Sequence, residues 1–300
     1  MVRRVWVVAV LALLAAGVAV AGACAQPADK PIIRIGSKNF TEQLLLGEMY
    51  ALILEEHGYR VERKLNLAGT LVAHQALVHG EIDLYPEYTG TGLINMLHME
   101  PMSDAGQVYE AVRDGYLREW NLVWLDPAPM NNTQAIAVTR EVAERYDMYT
   151  LSRMAEVAPE LVLAAVPEFT ERPDGLKGLQ EVYGGFQFRE VRMVDYGLKY
   201  RALLAGQADV TVAFGTDGEI IGYGFVVMED DKGLWPPYQV APVVRKELLD
   251  QAPEVADILN RLQPHLTGAT MQQLNWEVDG NKREYTRVAR EFLREIGMIH

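Results

Sequence analysis

The stretch GEIDLYPEYTGTG, residues 80–92, sets a short apolar run against a proline, two tyrosines, two threonines and the glycines Gly90 and Gly92. It reads as a strand running into a binding loop. Ile82 and Leu84 suit a buried strand, and Pro86, with no N–H to give a ladder, is expected to end the pairing. Gly90 and Gly92 allow a close backbone approach or positive φ. Tyr88 and Thr91 are then placed on the loop at the strand's C-terminal end.

The pattern occurs twice. Residues 76–84, ALVHGEIDL, and residues 202–210, ALLAGQADV, both fit Ala-Leu-x-x-Gly-x-x-Asp-aliphatic, and four positions later each carries an aromatic, Tyr88 and Phe214. A constant offset predicts two similar lobes, each ending a helix at Gly and starting a strand after Asp. The alternative is a chance match between common helix-Gly-strand junctions. Ligands of open α/β sheets bind beyond the carboxyl ends of strands, so two such loops facing each other define an interdomain cleft.

Three hundred residues of ordinary apolar content can bury a sizeable core, as one large domain or two moderate ones. The formal charge is −13, and −15 once Arg3 and Arg4 leave with a leader. Such acidity argues against nucleic acid and anionic membrane surfaces as partners. Residues 1–23 have that basic start, an apolar run and small residues at the end, the pattern of a secretory signal peptide rather than a membrane span. Cleavage after AGA at 21–23 puts Cys24, the only cysteine, first in the mature chain. Bacterial lipoproteins are acylated at that position, although Ala21 stands where an aliphatic residue is usual; lipidation and a chance cysteine both stay open. One thiol excludes internal disulfides and Cys-based zinc sites.

Residues 24–31 read as a tether. Ile32 to Ile35 reads as a first strand, and Asn39 or Thr41 is placed to cap a helix carrying Leu44, Leu45, Met49, Leu52 and Ile53 at helical spacing. Lys38 thus lies at a strand end beside a helix N-terminus, which suits an anion. Strand-like stretches follow at 61–67, 123–125, 131–138, 161–166, 188–194, 209–214 and 225–228, with helical stretches between them and Asp174 as a helix cap. An apolar strand at 239–244 reads as the return crossing, because only helical patterns follow it. The domains expected are a discontinuous first lobe, 32–137 and 240–300, and an inserted second lobe, 138–239. The fold class is α/β.

No catalytic arrangement stands out. The serines lie in no nucleophile elbow, no phosphate-binding Gly-Lys-Ser/Thr loop occurs, and the histidines are scattered, with His74 and His79 five apart and so not on one helix face. No metal, cofactor or enzymatic activity is expected. Asp83 and Asp209 read as structural groups at equivalent strand starts.

The segments IGSKNFTEQ (35–43), GEIDLYPEYTGTG, NNTQAIAV (131–138), ERPDGLKGL (171–179), GTDGEI (215–220) and PPYQVAPVVR (236–245) resemble, in collinear order over nearly the whole mature chain, the quaternary-amine substrate-binding proteins of osmoprotectant ABC transporters. The resemblance implies a two-lobe periplasmic-binding-protein-like fold of type II, a glycine betaine, carnitine, choline or similar ligand such as ergothioneine, and an ABC transporter permease as partner. It places the protein outside the cytoplasmic membrane, with a lipid anchor if Cys24 is acylated. Carried over by position, the aromatic cage comprises Tyr88, Phe214 and Tyr238, with Gln134 where many relatives have a further tyrosine; Phe214 likewise replaces a frequent tyrosine. Lys38, Thr91 and Arg172 are expected to meet a ligand carboxylate, Arg172 in bidentate fashion. Other roles stay open: an acidic partner for Lys38, an interlobe ion pair for Arg172, a core position for Phe214, packing on its own lobe for Tyr88 and a hinge position for Tyr238. The rival classes are a receptor module and an enzyme on the same scaffold, such as one resembling porphobilinogen deaminase. That enzyme needs a cysteine in the mature core, and none is there.

Overall fold

The computed structural model describes residues 30–300. The signal peptide, Cys24 and most of the tether lie outside the described residues. Two five-stranded sheets form the frame: in order, β2 (Arg60–Lys64), β1 (Ile32–Gly36), β3 (Leu84–Tyr88), β10 (Val240–Arg245) and β4 (Leu122–Trp124), and β7 (Glu190–Met193), β6 (Val162–Ala165), β8 (Val210–Phe214), β5 (Gln134–Val138) and β9 (Val226–Val227). In the first, β1 runs parallel to β2 and β3, while β10 runs antiparallel to β3 and to β4. In the second, β6 runs parallel to β7 and β8, while β5 runs antiparallel to β8 and to β9. The fold is the α/β, two-lobe arrangement expected.

The sheets are copies of one plan, with β3 and β8 third in each order. Asp83 and Asp209 do the same work in both: Asp83 accepts the backbone N–H of Arg34 at 2.8 Å, and Asp209 that of Val162 at 2.9 Å, each clamping the neighbouring parallel strand. Gly80 and Gly206 end the preceding helices at φ +72° and +64°, where a side chain is strained. The antiparallel neighbours are exchanged in chain order, β5 following the first lobe's strands and β10 the second's.

Three local expectations are corrected. Pro86 does not end the strand but sits inside β3 opposite Pro242. Opposed residues of an antiparallel pair alternately lack mutual hydrogen bonds, so two prolines can face each other there. The crossing into the second lobe falls between Trp124 and Gln134, so residues 134–137 belong to the second sheet, although the first lobe was expected to run to 137. The helix Thr41–Glu56 begins after Phe40 with no side-chain cap, since Thr41 instead donates to Asp279 at 2.7 Å.

Each sheet is covered by its own apolar side chains. Ile33, Ile35, Val240 and Val244 pack on Leu45, Leu46, Met49 and Ile53 of the helix Thr41–Glu56, with Phe292 and Leu293 behind them. Val210, Val212, Leu163 and Ile136 pack on Met154, Leu179 and Phe186. Among the described residues no helix is long and apolar enough to cross a membrane.

Candidate functional site

β3 and β8 end at Tyr88 and Phe214, and the rings beyond them meet in the cleft. Phe40, just before the helix Thr41–Glu56, lies nearly parallel to Tyr88 (centroids 6.3 Å, 19°), to Tyr196 (5.5 Å, 24°) and to Phe214 (6.0 Å, 11°). Tyr196 and Phe214 are 6.2 Å apart at 21°. Two of these rings come from the first lobe and two from the second. The space left among them is about 20 Å³, roughly one water, because the rings lie on each other.

All seven expected ligand residues, Lys38, Tyr88, Thr91, Gln134, Arg172, Phe214 and Tyr238, line this one cavity. Phe40, Thr70, Asn132, Glu168 and Tyr196 line it as well and carried no sequence expectation. Phe40 lies within IGSKNFTEQ, so its segment was legible although its role was not. Tyr196 stands in no segment that the resemblance covers.

The charged groups are already engaged. Lys38 Nζ donates to Glu87 at 2.6 Å and to Thr70 at 3.0 Å, and both side chains of the ion pair are sealed, at 3% and 0% exposure. Glu87 also accepts from the Tyr85 hydroxyl (2.9 Å) and the Tyr88 N–H (2.7 Å). Arg172 gives its fork to Asp174, Nε at 2.8 Å and Nη2 at 2.6 Å, and reaches Thr91 across the cleft at 3.4 Å. Lys38 therefore has an acidic partner, and the Arg172 ion pair lies within the second lobe. Asp174 is not the expected helix cap: Gly175 holds that position, and the Asp174 carboxylate takes donors from Arg172, Asn95 and the Tyr238 hydroxyl. Gln134 donates to the Asp174 carbonyl at 3.0 Å.

The two strand-end rings are supported alike. Lys38 Nζ lies 5.2 Å from the Tyr88 centroid and Lys199 Nζ lies 4.5 Å from that of Phe214, each beside its own acid, Glu87 or Asp217. Beneath Tyr88, the buried Glu42 accepts from the Tyr88 hydroxyl (2.7 Å), Asn132 (2.7 Å), Thr216 (2.5 Å) and Asn275 (3.0 Å). Burial pushes its carboxyl up, since every one of those donors is neutral. The network joins Thr216 of the second lobe to three groups outside it.

Beside it, Glu219 is pushed up to about 7 by burial and then by Asp217 and Asp279. The folded chain holds this proton more tightly than the unfolded one. The contribution to stability is therefore full below about 4.5 and lost as pH rises to about 7. Glu219→Gln is expected to raise Tm at about pH 8 and to leave it nearly unchanged at about pH 4. Equal shifts at both pH values in calorimetric melts would contradict this.

Two α/β lobes meeting on a ring-lined cleft define a bilobal solute-binding protein. The chain belongs to the family of substrate binding domains of ABC-type glycine betaine transport systems, which matches residues 31–295. This is a family of extracytoplasmic substrate-binding proteins, not of enzymes. The glycine-betaine-binding protein of Pseudomonas aeruginosa is 38% identical over 300 residues, covering 96% of this chain and 94% of that protein. The ergothioneine transport permease/ergothioneine binding protein of Helicobacter pylori (strain G27) is 35% identical over 90% of this chain, which spans only 48% of that protein. A crystal structure of a glycine betaine/carnitine/choline ABC transporter protein superposes with a TM-score of 0.72 at 31% identity, covering 89% of this chain and 99% of that one.

Proposed function

We propose that the protein captures a quaternary-ammonium solute between the rings of Phe40, Tyr88, Tyr196 and Phe214, with Tyr238 and Gln134 at the edge, and delivers it to an ABC permease in osmoprotection. The observation that carries this reading is the set of near-parallel rings contributed by both lobes at the ends of β3 and β8. A quaternary ammonium has no N–H to donate, so ring faces are its best neutral partners, at about 2 kcal/mol or more per desolvated contact. The rings rest on one another and must part to admit the ligand, and because each lobe supplies two of them, a ligand between them favours the closed lobes. Secretion through the signal peptide at 1–23 and acylation at Cys24 complete the proposal and place the protein at the outer side of the membrane.

Calorimetry of the mature protein against glycine betaine, proline betaine, carnitine, choline and ergothioneine tests it. Heat from at least one is expected; folded protein that binds none rejects the reading. On the cage itself, Tyr88→Ala is expected to weaken binding at least about tenfold. Tyr88→Phe keeps the ring and the affinity but takes one donor from buried Glu42, so stability falls by about 1–3 kcal/mol. Equal affinity losses for Ala and Phe would show that the hydroxyl, not the ring face, holds the ligand.

A further inference from the structure

Among the described residues, Glu168 is the one acid that lines the ring cavity directly. It stands on the second lobe in the helix Pro167–Glu171, and with Thr70 and Arg172 it also lines a wider space of about 640 Å³ bordered by His74 and Trp120. Its Oε2 accepts from the Tyr196 hydroxyl at 3.0 Å, Oε1 has Arg172 Nη1 at 3.5 Å, the outer limit of a contact, and the Thr70 hydroxyl is a further donor to the carboxylate. A carboxylate has about four lone-pair sites, so the group keeps acceptor capacity toward the cavity it lines. The side chain remains 21% exposed, against 0% for Glu87 and 2% for Asp174.

The charges of the wall follow from these pairings. Lys38 is neutralised by Glu87 and Arg172 by Asp174, both acids lying behind the surface that a ligand meets. Glu168 is a third carboxylate set against two cations, so the wall carries a net negative charge. Burial alone raises its carboxyl, but Arg172 and Lys38, with donors from Thr70 and Tyr196, outweigh that and hold it below its usual range, ionised at neutral pH. A carboxylate entering with the ligand must stand beside Glu168 or displace it from Arg172, and like charges brought together in a desolvated cleft are strongly disfavoured. A hydroxyl or N–H at the same place donates to the Glu168 carboxylate instead.

We propose that Glu168 sets the charge preference of the site, favouring quaternary-ammonium ions whose far end is a neutral O–H or N–H donor over zwitterions whose far end is a carboxylate. This rests on the quaternary-ammonium reading above and replaces the carboxylate clamp expected of Lys38, Thr91 and Arg172. The test compares choline with glycine betaine, which share the trimethylammonium and differ at the far end, by titration calorimetry on the mature parent protein, E168Q and E168A, each checked for folding by circular dichroism. The parent is expected to bind choline on the order of tenfold more tightly than glycine betaine. E168Q keeps size and hydrogen bonding but not charge, and E168A removes both; each should weaken choline and bring the two affinities to within about threefold of each other. A parent that binds glycine betaine as tightly as choline, or folded variants that keep the parent ratio, would overturn the role of Glu168 and leave the quaternary-ammonium reading standing. Folded parent protein that binds neither solute would overturn both.

Discussion

Glu87→Ala is expected to cost about 3–5 kcal/mol of stability, the usual consequence of removing one partner of a buried ion pair. Lys38 Nζ is left in a site where both side chains are almost fully enclosed, with only Thr70 as a hydrogen-bond partner. Two further donors, the Tyr85 hydroxyl and the Tyr88 N–H, lose their acceptor at the same time. Since domains of this kind are stable by only about 5–15 kcal/mol, the variant should unfold at a much lower urea concentration. The double variant Lys38→Met, Glu87→Leu removes the stranded charge and is expected to recover much of the loss, because a buried pair and an apolar pair of similar volume are often near-equal. A loss below about 1 kcal/mol for Glu87→Ala would mean that the ammonium reaches water, against the sealed geometry.

Asp174→Ala is the second large effect expected, again about 3–5 kcal/mol, with a looser cleft. Burial alone would push the Asp174 carboxyl up; Arg172, with further donors from Tyr238 and Asn95, holds it below its usual range. The stabilisation is therefore present above about 3.8, the ordinary value, and lost as pH falls through the depressed one. Asp174 stands on the second lobe, Asn95 on the first and Tyr238 on the return crossing, so one carboxylate ties three segments together. Its removal should also raise the radius of gyration in small-angle scattering, since Arg172 then holds the first lobe only through Thr91. Arg172→Met in the Asp174→Ala background is expected to restore part of the stability. Simple additivity of the two losses would show that the pair is not coupled.

Much of the frame was legible in the chain. The repeated Ala-Leu-x-x-Gly-x-x-Asp pattern corresponds to β3 and β8, third strands of two like sheets, with Gly80 and Gly206 at positive φ and Asp83 and Asp209 bonded to the neighbouring strands. These features are local: a helix end, a strand start and an aromatic at fixed offset impose their geometry within a dozen residues. Boundaries were less legible. Pro86 inside β3 depends on Pro242 opposite it, and the position of the crossing before Gln134 depends on β8, which lies far along the chain.

What the sequence determined by itself was the two-lobe α/β plan, the cleft at the ends of β3 and β8, and the family. The tertiary structure alone decided which rings gather around Phe40 and which charges remain for a ligand. Lys38 and Arg172 look alike as cations on loops in sequence, yet one is spent on Glu87, 49 residues away, and the other on Asp174, two residues away. Backbone pattern follows from neighbours in the chain, whereas the charge of a site follows from side-chain pairs brought together only by packing. A buried ion pair leaves no trace in spacing or periodicity, and so Glu168, the acid left over once Lys38 and Arg172 are paired with Glu87 and Asp174, becomes visible only when those pairs have formed.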